Sequence, residues 1–214
     1  MKKTVVLFLL VLSVVGACGC AEKPNRRIED YLSQKYQQPF TFISEGGGVW
    51  SDRTKTAYYA DQEGLKFAVR YTDNLASDNY YSAIYDGAIT QRLRDAMQTD
   101  CKVLASTKAA FFGENQSFSD INEYMKQCPV INVSIIVTRE NSFTTVASDV
   151  LSAADGATIS AVITCVPQRV FNGLTSAEDE IAPGDIVSYG SFWVENGALV
   201  RATWEDYICD KNKP

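Results

Sequence analysis

The 214-residue chain contains no histidine. Ser–His–Asp and Cys–His catalysis are excluded with it, because both need an imidazole to take the nucleophile's proton. Catalytic zinc centres, built largely on histidine, are disfavoured on the same ground. Gly-x-Ser-x-Gly, Walker A, Gly-x-Gly-x-x-Gly, Cys-x-x-Cys and EF-hand patterns are absent as well. Basic residues are in the minority, 20 against 26 acidic, for a net charge of −6. The deficit lies in the second half: residues 18–105 carry a net −1 and residues 106–214 a net −7. A chain charged in this way is repelled by polyanions, so nucleic acid is not an expected partner. No catalytic residue, cofactor or metal is assigned from the sequence.

Long apolar runs are also scarce, and the one present stands at the start. Lys2 and Lys3 precede the 12-residue apolar stretch Thr4–Val15, and the small residues Gly16 and Ala17 follow it. A run of that length is too short for a membrane-spanning helix, which needs about 20 residues. It falls within the range of about 7–15 for the apolar region of a secretory signal. Val15-Gly16-Ala17-Cys18 resembles the lipobox read by the signal peptidase of bacterial lipoproteins. The resemblance implies that residues 1–17 are a signal peptide and that Cys18 is acylated. Cys20 is the alternative frame, with Ala17 in the aliphatic place. Each buried acyl methylene contributes about 0.8 kcal/mol and more than one chain is needed for stable anchoring. The expected address is the extracytoplasmic face of a membrane of the cell envelope, with residues 18–27 as a lipidated tether.

The remainder reads as α+β, in two docked modules over residues 28–101 and 117–209. The first is helix, antiparallel strands, helix. Ile28, Tyr31, Leu32 and Lys35-Tyr36 follow helical spacing over 27–37. Phe40–Ser44, Thr54–Asp61 and Leu65–Thr72 alternate as strands. A long helix then carries the stripe Tyr81, Tyr85, Ala88-Ile89, Leu93 and Ala96-Met97, with Ser77 or Asp78 as its cap. Gly87 in its middle costs about 1 kcal/mol relative to alanine. Tyr31-Leu32-Ser33-Gln34-Lys35-Tyr36 and Asp78-Asn79-Tyr80 together resemble small secreted bacterial proteins of cystatin-like or related α+β fold. That resemblance implies a fold and transfers no activity.

Lys102–Gln116 shows no period and is taken as the join. The second module is helix, strand, helix, strand and hairpin. The helix Ser119–Cys128 has Asp120 and Glu123 placed for a capping box. A strand at 130–138, a helix at 145–154 and a strand at 158–166 suggest a parallel crossover pair. Asn196-Gly197 predicts a two-residue type I′ turn. Strict pairing from that turn sets Trp193 opposite Val200 and Tyr189 opposite Trp204, and predicts their face as the core face.

Cys101, Cys128, Cys165 and Cys209 offer two disulfides, with Cys101–Cys128 and Cys165–Cys209 preferred, or buried free thiols. Trp50, Tyr58, Tyr59 and Tyr80 are candidates for a sugar-stacking platform or for core. Glu178, Asp179, Glu180 and Asp185 are candidates for a calcium site or for a solvated loop. The expected function is a membrane-anchored, non-enzymatic binding or structural module, with an envelope protein or a small ligand as its partner. The alternatives are a glycan- or peptide-binding protein with its ligand between the modules, and a carboxylate-based hydrolase.

Overall fold

Alternation of apolar and polar side chains dictates most of the strands. In the computed structural model, which describes residues 25–46, 54–73, 75–138 and 143–206, five helices accompany two five-stranded sheets, an α+β architecture. The first sheet contains β1 (Thr41–Gly46), β2 (Lys55–Ala60), β3 (Lys66–Tyr71), β4 (Ala76–Asp78) and β6 (Phe112–Gly113), in that spatial order and antiparallel throughout. Helix α1 (Arg26–Tyr36) lies on it. Asn25 caps α1 by accepting a hydrogen bond from the Arg27 N–H, and Ile28, Tyr31 and Leu32 are buried against Ala57, Tyr59, Phe67 and Val69.

The second sheet runs β10 (Ala198–Asp206), β9 (Ser188–Glu195), β8 (Ile159–Cys165), β7 (Ile131–Val137) and β5 (Cys101–Ser106). Strands β7 and β8 are parallel, joined through α4 (Phe143–Ala153), as the strand–helix–strand order predicts. The larger core fills the space between this sheet and helices α2 (Tyr80–Ala96), α3 (Ile121–Gln127) and α4. Docking of the halves is direct: the Tyr85 and Tyr124 rings lie 5.0 Å apart, and Arg92 donates to Asn122 Oδ1 at 2.6 Å. A short helix α5 (Gln168–Gly173) covers one corner of the opposite face, where Phe171 packs on Ile136 and Val166.

Three expectations are corrected. Lys102–Gln116 is not a plain connector. Strand β5 pairs antiparallel with β7 in the second sheet, and the chain then returns to give β6 to the first. Each sheet therefore holds a strand from across the expected boundary. The free edge of β5 is covered by α2, whose Thr90 Oγ1 and Asp86 Oδ1 accept the N–H groups of Ala105 and Thr107. Side chains there take the place of a neighbouring strand.

The second correction concerns the hairpin. Asn196 (φ 51°) and Gly197 (φ 73°) both adopt the left-handed conformation, and Val194 pairs with Leu199. A bulge at Val200 then shifts the register by one, so Trp193 faces Arg201 and Tyr189 faces Glu205. A one-residue shift exchanges the faces. The core face of β9 carries Ser188, Gly190, Phe192 and Val194, while Tyr189 and Val200 are exposed. Trp204 still reaches the core by lying over Gly190, where an added Cβ would stand 2.3 Å from the indole.

The third concerns the cysteines. Cys101 and Cys128 are free thiols. Cys101 pairs with Val137 at one end of β7, whereas Cys128 precedes the other end, Ile131. Six residues of strand separate them, about 20 Å at 3.3 Å per residue, and a disulfide tolerates less than about 7 Å between Cα atoms. Cys165 lies beside Val137 in the next strand, and Cys18, Cys20 and Cys209 lie outside the described residues.

Candidate functional site

Two polar clusters flank α2. The first is closed. Asp78 ends β4 with none of its surface exposed, and Lys35 of α1 reaches it at 2.9 Å with its side chain 1% exposed. Asp78 Oδ2 also accepts from the Tyr31 hydroxyl, and Oδ1 from the Tyr36 hydroxyl at 2.7 Å and the Tyr80 N–H at 2.9 Å. Asp78 therefore does act at the start of α2, although the residue before the helix is Asn79, whose side chain gives no cap bond. The Lys35 ammonium spends its three protons on Asp78, the Phe112 carbonyl and the Tyr31 oxygen. The Tyr-Leu-x-x-Lys-Tyr and Asp-Asn-Tyr motifs thus meet in one network. Four bonds fill the acceptor positions of the carboxylate, so the cluster has nothing left for a ligand. Its role is to join α1 to the first sheet.

The second cluster opens to solvent. Asp86, one turn and a half along α2, turns one oxygen inward: Oδ1 accepts from the Thr107 N–H at 3.0 Å and the Thr107 hydroxyl at 2.6 Å. Thr107 Oγ1 lies 2.8 Å from Ser82 Oγ and in close contact with the Tyr124 hydroxyl. Asp86 Oδ2 has no hydrogen bond among the described residues. Burial pushes the Asp86 carboxyl above its ordinary range, opposed by the two Thr107 bonds and the nearby Lys108 ammonium. Asp86 borders a cavity of about 400 Å³ walled by Tyr58, Lys66, Asn79, Ser82 and Lys108. It also borders a second, of about 320 Å³, with Gly87, Gln91, Arg94, Ser106 and Glu178.

Charges of both signs therefore face one opening, on a protein that is acidic as a whole. The hydroxyl chain does not amount to an activated nucleophile. Ser82 meets only other hydroxyls, and burial drives the pKa of Tyr124 upward rather than making it a base. The arrangement can bind and orient. Comparison with protein-family models, curated proteins and solved structures yields no match.

Other sequence candidates are placed elsewhere. Tyr58 and Tyr59 point to opposite faces of β2: Tyr59 is wholly buried, Tyr80 is core, and Trp50 lies outside the described residues. They form no shared platform. In the acidic loop, Asp179 accepts the N–H groups of Thr175 and Ser176 and the Thr175 hydroxyl, while Asp185 pairs with Arg169 at 2.8 Å. No group of three potential metal ligands is gathered among the described residues. Sequence reasoning missed Asp86, Lys66 and Lys108. The available signal was Gly87, a helix-weakening residue in the middle of α2 that needed an explanation beyond packing.

Proposed function

We propose that the chain is a lipid-anchored, extracytoplasmic binding protein that holds a small ligand against α2, between its two sheets. The observation that carries the reading is the approximately 400 Å³ cavity lined by Lys66, Lys108 and Asp86, whose Oδ2 has no hydrogen bond among the described residues. Thermal denaturation in the presence of amino acids, peptides and oligosaccharides tests it. A ligand at 100 times its Kd adds about 2.7 kcal/mol, and that stabilisation is expected to disappear in Asp86→Asn and Lys66→Glu. Stabilisation that persists in both variants would place the ligand elsewhere.

Anchoring rests on Val15-Gly16-Ala17-Cys18. Cys18→Ala is expected to abolish incorporation of labelled fatty acid and to leave the signal uncleaved. Labelling that survives in Cys18→Ala and vanishes in Cys20→Ala would move the anchor to the second frame. A carboxylate hydrolase is the second reading, favoured by one observation: Asp86, with its raised pKa, and the exposed Glu178 line the same cavity. Mass spectrometry of any ligand incubated with the protein separates the two, because a binding protein returns it intact.

A further inference from the structure

The two cavities beside α2 meet at Asp86 and Lys108, which line both. On the helix, the first uses Ser82, Ala83 and Asp86, and the second continues through Gly87, Gln91 and Arg94. Steps of three and four residues keep these positions on one face. From Ser82 to Arg94 that face is about 18 Å long at 1.5 Å per residue. An extended peptide advances about 3.3 Å per residue, so about five residues span it.

Charge gives the groove a direction. Lys66 lines only the cavity near the first sheet, Lys108 and Asp86 stand where the two cavities meet, and Glu178 and Arg94 line only the cavity near the second sheet. We propose that the groove binds a short peptide in extended form, about five residues long, with an acidic carboxyl-terminal end at Lys66 and Lys108. Its amino terminus then lies toward Glu178, and Asp86 Oδ2 accepts a backbone N–H midway. This deepens the ligand-binding reading and rests on it. The two lysines suit a chain that ends in a carboxylate, and Glu178 offers an acceptor for its amino group. A linear glycan would want several exposed ring faces, and Tyr58 is the exposed aromatic among the lining residues.

Gly87 supplies an independent observation. It is exposed in mid-helix, and nothing lies within 4 Å of a Cβ added there, so packing does not demand glycine. Almost any other residue would favour the helix. Gly87 does line the second cavity, where a longer side chain would stand in the path of the ligand.

The test uses the detergent-solubilised full-length chain and a pool of pentapeptides with four randomised positions and a free carboxyl-terminal glutamate. A matching pool ending in glutamine amide, maltopentaose and free glutamate serve as comparisons. Binding is read by affinity selection and calorimetry. The glutamate pool should yield binders, with the amide pool at least tenfold weaker. Gly87→Gln should keep or raise the Tm of the free protein while weakening peptide binding at least tenfold, and Lys66→Glu should weaken it similarly. Maltopentaose or glutamate binding as tightly, with sensitivity to Lys66→Glu, would overturn the peptide while leaving the ligand site standing. Unchanged peptide affinity in Gly87→Gln would overturn the path along α2. Binding of no probe would overturn both readings.

Discussion

Replacing Lys35 with methionine will destabilise the fold by about 3–5 kcal/mol, the range for removing one partner of a buried ion pair. The methionine fills much of the same space, so packing changes little. What changes is Asp78, which has no exposed surface and would keep the hydroxyls of Tyr31 and Tyr36 and one N–H without any cation. Desolvation of a carboxylate is costly when no opposite charge compensates it. Total stabilities run at about 5–15 kcal/mol, and each kilocalorie shifts Tm by about 2–4 °C in a chain of this size. A fall of about 10 °C is therefore expected, and urea titration measures the free energy directly. Adding Asp78→Asn to Lys35→Met should recover part of the loss, since no buried charge then remains. A single-variant loss under 1 kcal/mol would show that the pair contributes nothing to joining α1 to the sheet.

Alkaline unfolding should be equally pronounced. Burial is the first cause in all eight tyrosines whose pKa is raised in the fold: Tyr31, Tyr36, Tyr59, Tyr71, Tyr80, Tyr81, Tyr85 and Tyr124. Tyr71 and Tyr80 are pushed up to about 12. A group with a raised folded pKa contributes stability that is complete below its unfolded value and is lost as pH rises towards the folded one. For these tyrosines the loss begins near pH 10, where the unfolded chain ionises and the folded chain does not. Cys101 and Cys128, pushed up by burial from 9 to about 11, start the decline one unit earlier. Lys35 acts in the opposite sense, because burial lowers its pKa and the unfolded chain then holds the extra proton. One such group does not offset eight. Each retained proton is worth about 1.36 kcal/mol per pH unit, so four strongly held tyrosines remove about 5 kcal/mol per unit. Circular dichroism from pH 8 to 12 should show cooperative unfolding above pH 10, coincident with tyrosinate absorbance at 295 nm. Gradual ionisation of the tyrosines with the fold intact would contradict it.

What could be read in advance follows the range of the interactions. Phe67, Val69 and Tyr71 declare their strand by alternation, and Asn196-Gly197 declares its turn because both positions need positive φ. These are local effects. The bulge at Val200 is not local. It lets Trp204 fit over Gly190, a contact that exists only once α4 brings Phe143 beside both, so strict pairing put the wrong face of β9 in the core. Cys101–Ser106 escaped notice because its partner, β7, lies some thirty residues away and because Leu104 blurs the alternation of Val103 and Ala105. The polar sites divide in the same way. Lys35 and Asp78 stood inside motifs already noticed, yet their 43-residue separation hid the ion pair. Asp86 carried no motif at all.

The crossing of β5 and β6 between the sheets also sets an order of assembly. A chain emerging from its amino terminus completes β1 to β4 early, but β4 lacks its outer neighbour until Phe112 and Gly113 arrive. Strand β5 appears before that and has no strand to pair with until β7, which begins at Ile131. For about 25 residues of synthesis, roughly one to five seconds at 5–20 residues per second, Val103 and Ala105 have no core to enter. A nascent chain in that interval exposes a short apolar strand beside a nearly finished sheet. It needs either rapid continuation or a holding factor, and a product terminated there would leave both halves incomplete.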